Sequence, residues 1–129
     1  MIFAAYCFLL HFVADFLLQS REMGKKKSSS IKWLTHHIAI IFAVFYIGTQ
    51  NLEFSFYNAL AHMIIDALIW NIYKGCLLYR FIDKDVPWKD RPKMMYRNFK
   101  YWEDHWFYAT IGLDQFLHGA TILLLLEFL

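Results

Sequence analysis

The 129-residue chain has only two cysteines, Cys7 and Cys76, and they form no CxxC motif. In the membrane topology that the charges predict, they lie towards opposite faces, which excludes a disulfide and a thiolate metal site. The chain also has no GxSxG motif, no glycine-rich phosphate loop and no internal repeat. These absences leave no motif for a serine nucleophile or for a nucleotide phosphate.

Basic residues are nearly absent from the apolar stretches and crowd into two segments, Arg21 to Lys32 and Arg80 to Lys100. The composition, 59% hydrophobic and 20% aromatic, is too apolar for an ordinary soluble domain of this length. Such segregated charge is typical of membrane topology rather than of nucleic-acid binding. We therefore expect a membrane protein in contact with lipid and no nucleic-acid partner.

Four apolar segments approach the roughly 20 residues of a transmembrane helix. They predict an all-α fold, a polytopic bundle of four transmembrane helices that forms a single domain over residues 1–129. The predicted spans cover about residues 2–19, 33–49, 54–74 and 106–127, and the connecting loops 20–32 and 75–105 hold the basic residues. By the positive-inside rule these two loops are cytoplasmic, so both termini lie outside.

Three of the apolar segments carry a histidine and an aspartate four positions apart, a spacing that puts both side chains on one helix face. An aspartate at the centre of a membrane helix costs about 2.5–3.5 kcal/mol on the insertion scale, so three of them need compensation. The pairs are His11 and Asp15 in "HFVAD", His62 and Asp66 in "HMIID", and Asp114 and His118 in "DQFLH".

The remaining segment contains "THH", so His36 or His37 can supply a fourth imidazole. With a rise of about 1.5 Å per residue, these side chains lie about 6–19 Å from the cytoplasmic ends of their helices. They can therefore meet in one cavity that opens towards the cytoplasm.

Three explanations compete for these residues: buried hydrogen bonds between helices, a proton or ion pathway, and a metal site. We favour the metal site because a cation neutralises the aspartates directly, and imidazole with carboxylate suits Zn²⁺, Mn²⁺ or Fe²⁺. The donor groups are sufficient for one or two ions. The predicted metal ligands are His11, Asp15, His37, His62, Asp66, Asp114 and His118.

Two glutamines lie beside the predicted ligands: Gln19 is four residues after Asp15, and Gln115 follows Asp114. Either can orient a ligand or bind substrate, although a position at the membrane interface explains Gln19 equally well. An aspartate that is not fully engaged by metal, whether Asp15, Asp66 or Asp114, can act as a general base.

The favoured hypothesis is a metal-dependent hydrolase that acts on a phosphoester or other lipid-like substrate. The alternative is a non-enzymatic membrane module, either a metal or proton conduit or an accessory protein that acts through partner binding. A conduit needs polar residues that continue to the outer face, and the outer halves of the predicted spans have few.

The segments "HFVADFLLQS", "KWLTHHIAI", "HMIID" and "DQFLH" resemble, in order and spacing, the small bacterial and phage membrane proteins catalogued as domain of unknown function 3307. The resemblance covers nearly the whole chain and implies a four-helix membrane protein, but no established activity. We expect the protein to lie in the bacterial inner membrane. His37 is the favoured fourth histidine because of its position after "WLT". More loosely, the pairs are similar to those of membrane-bound metal-dependent hydrolases and helical zinc phospholipases, a likeness of site type only. The pattern residues are His11, Asp15, Gln19, His36 or His37, His62, Asp66, Asp114, Gln115 and His118.

Overall fold

The computed structural model describes residues 1–81, 85–91 and 100–129, and over these ranges the chain is helical with no β-strand. The all-α prediction is confirmed. A single 3₁₀ turn, Tyr101–Glu103, precedes the last helix. The helices are α1 (Ile2–Phe12, continued by a π-helical segment Val13–Leu17), α2 (Arg21–Lys26), α3 (Ile31–Thr49), α4 (Leu52–Phe81) and α5 (His105–Phe128).

Within the described residues, three helices are long and apolar enough to cross a membrane: Ile31–Thr49, Leu52–Tyr79 and His105–Phe128. Only 17%, 33% and 22% of their most apolar stretches are buried inside the protein. Their apolar side chains therefore face outward, as lipid surroundings allow. The first apolar helix, Ile2–Leu17, is shorter than these three.

The helix boundaries differ from the predicted spans mainly in α4. This helix begins at Leu52 and continues past Lys74 to Phe81, so the start of the predicted loop 75–105 is helical. No proline interrupts the chain between Lys74 and Phe81, and hydropathy declines before the helix ends. Much of the remainder of that loop, residues 82–84 and 92–99, lies outside the described residues.

The four apolar helices pack as a ring in which neighbours run antiparallel: α1 contacts α3 and α5, and α4 also contacts α3 and α5. The Tyr6 hydroxyl donates to the Gly48 carbonyl oxygen at 3.2 Å, which joins the start of α1 to the end of α3. At the opposite end of the bundle, the Tyr73 hydroxyl donates to Asp104 at 2.8 Å. We call the first of these ends the turn end, because the tight connection between α3 and α4 lies there. We call the opposite end the α2 end.

The interior of the bundle has three layers along its length. An apolar cluster fills the layer nearer the turn end, and its members include Ile41, Ala59 and Ile122. Each of these three residues lies about one helical turn from a predicted ligand histidine on the same helix. The polar residues therefore form a middle layer, and a second apolar cluster, built on Tyr73 and Leu77, lies nearer the α2 end.

A short helix occupies part of the predicted loop 20–32. The Ser20 side chain caps α2 by accepting a hydrogen bond from the Met23 backbone N–H at 3.2 Å. Met23 and Lys27, one turn apart on the same face, are both buried, with 6% of each exposed. This end of the bundle is therefore closed by a folded segment.

Gly48 allows α1 to approach α3, because a Cβ atom there would lie 2.6 Å from Leu10 Cδ1. A Cβ atom at Gly112 would meet nothing within 4 Å. We expect Gly48→Leu to lower the free energy of unfolding by about 1–3 kcal/mol through overpacking, and Gly112→Leu to leave it unchanged or raise it. Thermal unfolding in detergent measures both, and equal losses would contradict the close approach.

Candidate metal centre

Histidine and aspartate side chains from all four long helical segments meet inside the bundle, and no more than 3% of any of them is exposed. Their spacing along each helix places them on its inner face. We call this group the His/Asp cluster. It consists of Asp15 from the π-helical segment, His37 from α3, His62 and Asp66 from α4, and Asp114 and His118 from α5.

One part of the cluster, the His37 subsite, comprises His37 Nε2, His62 Nε2, Asp66 Oδ2 and Asp15 Oδ1. His37 Nε2 lies 3.0 Å from His62 Nε2 and 3.3 Å from Asp66 Oδ2, and the last two atoms are 3.4 Å apart. Asp15 Oδ1 lies 3.1 Å from His37 Nε2 and 3.7 Å from His62 Nε2. Ligands of a tetrahedral zinc ion are roughly 3.3–3.6 Å apart, so these separations suit a cation.

The other part, the His118 subsite, comprises His118 Nε2, Asp66 Oδ1 and the carboxylate of Asp114. His118 Nε2 lies 3.7 Å from Asp66 Oδ1 and 3.6 Å from Asp114 Oδ2. Asp66 thus presents one oxygen to each subsite, the arrangement of a bridging carboxylate. The His62 and His118 rings stack with centroids 3.7 Å apart, which holds the two subsites side by side.

Several atoms of the cluster that could bind a metal ion are buried without a hydrogen-bond partner among the described residues. They include Asp66 Oδ1, Asp114 Oδ1 and His118 Nε2, all of which belong to the His118 subsite. Most buried polar atoms in proteins have a partner, and an unpartnered buried carboxylate is costly. A cation bound among these three atoms would satisfy them together.

Lys27 reaches the cluster from the end of α2. Its Nζ lies 3.0 Å from Asp66 Oδ2, as an ion pair without hydrogen-bond alignment, and 3.4 Å from both Asp15 Oδ1 and His37 Nε2. Burial lowers the pKa of this ammonium, but the Asp66 and Asp15 carboxylates outweigh burial and raise it above its ordinary value. Lys27 is therefore a charged member of the site.

Sequence reasoning missed Lys27 because it is one of three consecutive lysines in a segment interpreted as a basic loop. A usable signal was present. Ser20 is a suitable N-cap, and the helix that it predicts places Met23 and Lys27 on one face.

Gln115 links the carboxylates of two helices. Its Nε2 donates to Asp15 Oδ2 at 2.8 Å and to Asp114 Oδ2 at 3.2 Å, and its Oε1 accepts from His11 Nε2 at 3.0 Å. Because Gln115 Oε1 can only accept, His11 carries its proton on Nε2. His11, predicted as a ligand, therefore lies beside the cluster and belongs to neither subsite.

The structure also separates the two candidate histidines of "THH". His37 is fully buried in the cluster, whereas His36 is exposed and its Nδ1 lies 2.8 Å from the Lys32 carbonyl oxygen. Gln19 packs against Gly24 of α2, and no hydrogen bond joins it to the cluster among the residues described. Of the two predicted glutamines, Gln115 is the one that forms hydrogen bonds with the cluster among the described residues.

A family model described as "Protein of unknown function (DUF3307)" matches residues 3–129. The chain belongs to this family. The match spans the segments that carry the His/Asp pairs, so the resemblance seen in the sequence is confirmed. No curated protein and no solved structure matches the chain. The family description names no activity.

The π-helical segment sets the position of Asp15. The Leu18 N–H bonds to the Val13 carbonyl oxygen at 2.9 Å, five residues back instead of four. This wider turn buries both Ala14 and Asp15 although they are adjacent in sequence. Such π-turns occur frequently at functional sites, and the apolar pattern of the sequence gives no sign of this one.

The two glutamines make a matched test of the site. Gln115→Leu removes the hydrogen bonds that orient Asp15 and Asp114, so we expect metal to bind about 10–100-fold more weakly. Gln19→Leu should leave the affinity unchanged because Gln19 contacts α2 instead. Equilibrium dialysis of detergent-purified protein against Zn²⁺ measures both affinities, and a larger loss in Gln19→Leu would contradict the arrangement.

Proposed function

We propose that this protein binds a divalent metal ion within the membrane and acts as a metal-dependent hydrolase on a phosphoester or other lipid-like substrate. The observation that carries the proposal is the convergence of unpartnered, buried donor atoms, Asp66 Oδ1, Asp114 Oδ1 and His118 Nε2. Imidazole and carboxylate groups favour zinc, with manganese and iron as further candidates.

The placement in the membrane is part of the proposal. We take α1 as a fourth span although it is short, because its exposed residues Phe8, Leu9, Phe12 and Phe16 form an apolar, lipid-compatible surface. The basic connection around α2 then faces the cytoplasm of a bacterial inner membrane, and both termini lie outside. The His/Asp cluster falls in the cytoplasmic half of the bundle.

The residues of the cluster divide the chemical work. A bound divalent ion would polarise the scissile group and make water nucleophilic near neutral pH. Asp66 and Asp114 hold the ion together with His118. Asp114 Oδ2 also accepts from Gln115 Nε2, so Gln115 would orient this ligand.

An apolar groove between α4 and α5 supports a lipid-like substrate. Its volume is about 710 Å³, and its lining includes Ile69, Ile72, Cys76, Trp106 and Leu113. Ile69 lies one turn beyond Asp66, and Leu113 directly precedes Asp114. The groove therefore begins beside the cluster and extends towards the α2 end.

Metal content and hydrolysis test the proposal together. We expect stoichiometric metal in the purified wild type, loss of that metal in Asp66→Ala and His118→Ala, and normal content in His105→Ala, a control on an exposed histidine of α5. Hydrolysis of a phospholipid with a chromogenic phosphoester headgroup should follow metal content and stop on chelation. A metal-free wild type that hydrolyses this lipid would overturn the proposal.

A metal or proton conduit is the second candidate, because the outer half of α4 contains buried polar residues although its sequence is largely apolar. Ser55 and Asn58 are buried on the same face as His62, and Asn58 Nδ2 has no partner among the described residues. The Ser55 hydroxyl, however, donates to the Asn51 carbonyl oxygen at 2.7 Å. Phe45 and Phe54 pack in the same layer, which favours a closed pocket.

Asn58→Leu distinguishes a pocket from a conduit. For a closed pocket we expect unchanged metal content in the variant and no metal or proton flux through wild-type protein in liposomes, because Asn58 lies beyond the cluster. Flux that is present in the wild type and abolished by Asn58→Leu would favour the conduit. Radioactive zinc uptake and a trapped pH-sensitive dye provide the two measurements.

A further inference from the structure

The ammonium group of Lys27 is not placed evenly between the two subsites. All three of its contacts, to Asp66 Oδ2, Asp15 Oδ1 and His37 Nε2, are with atoms of the His37 subsite. Four ligand atoms of the cluster are buried without a hydrogen-bond partner among the described residues: Asp66 Oδ2 lies beside the ammonium, whereas Asp66 Oδ1, Asp114 Oδ1 and His118 Nε2 are in the other subsite. The His37 subsite therefore already has a cation, whereas the His118 subsite has ligand atoms with no cation beside them.

The fold holds Lys27 in this position. Ser20 caps α2, the buried Met23 anchors it to the bundle, and the neighbouring Ser28 accepts a hydrogen bond from Lys74 of α4 at 2.5 Å. The adjacent Lys26 points outward and pairs with Glu22 at 2.9 Å. The burial of Lys27 thus follows from the helix phase of α2.

The charges of the cluster also favour an ammonium group in one subsite and a single metal ion in the other. Asp15, Asp66 and Asp114 carry three negative charges when ionised, and Lys27 supplies one positive charge. A single divalent ion brings the buried cluster to neutrality, whereas a second one leaves two uncompensated positive charges in a low-dielectric interior. An ion in the His37 subsite would also share three ligand atoms with the ammonium and be repelled by it.

We propose that Lys27 is a built-in cation that replaces a metal ion in the His37 subsite, so that the native protein binds one divalent ion, in the His118 subsite. This inference rests on the proposed function, because it specifies the number and position of the ions in that site. Three protein ligands then leave a coordination position open for water or substrate, the usual arrangement of a catalytic ion.

Counting ions per chain tests the inference with Zn²⁺ as the probe. Metal-depleted protein in detergent is dialysed against Zn²⁺, and the bound zinc is measured by elemental analysis. We expect one ion in the wild type, two in Lys27→Met and one in Lys26→Met, a control that removes the neighbouring, outward-facing lysine. Two ions in the wild type, or one in Lys27→Met, would overturn the inference while leaving metal binding itself intact.

Histidine variants with native Lys27 give an independent measurement if Lys27→Met does not fold. With Lys27 in place, His37→Ala should keep its one ion and His118→Ala should lose it. Loss of the ion in His37→Ala would show that metal displaces Lys27 and would overturn the inference. Absence of zinc from the wild type and all variants would overturn the metal-dependent function as well, so the two failures are distinguishable.

Discussion

The attraction between buried carboxylates and the cations that neutralise them is the constraint on which this structure depends. Asp66 is fully buried, and neither of its oxygens accepts an aligned hydrogen bond among the described residues. An uncompensated charge of this kind would destabilise the bundle by several kcal/mol or more. Lys27 supplies one positive charge beside Asp66 and Asp15, and the proposed divalent ion would balance the other two negative charges of the cluster.

The rest of the fold is arranged around that requirement. Close packing at Gly48 lets α1 approach α3, and the π-turn aims Asp15 inward. Gln115 then connects Asp15 to Asp114 across two helices. In a membrane, helices gain little from burying apolar surface against one another, so packing of small residues and polar contacts carry more of their association. The site and the helix packing consequently stabilise each other.

Much of this arrangement follows from the sequence, because spacing determines which side chains share a helix face. The four-residue interval between His62 and Asp66 was sufficient to predict that both point inward. The spacing of the His/Asp pairs gives no information on side chains that reach the site from a connection, and Lys27 was missed although Ser20 predicts the short helix before it. The spacing also gives no information on a change of helix phase such as the π-turn. His11 shares the spacing of the other pairs, but Gln115 holds its ring beside the cluster.

The contrast between Lys27 and the other lysines of its segment shows how one residue can serve two physical purposes. Basic residues at a helix end normally fix topology through their attraction to the cytoplasmic side, and for that any lysine suffices. A lysine within 3.0 Å of Asp66 is different, because its position depends on the phase of α2. A shift of one residue in α2 would expose the ammonium and leave Asp66 without it. The connection between α1 and α3 is therefore as much a part of the His/Asp cluster as the helices that carry its histidines and aspartates.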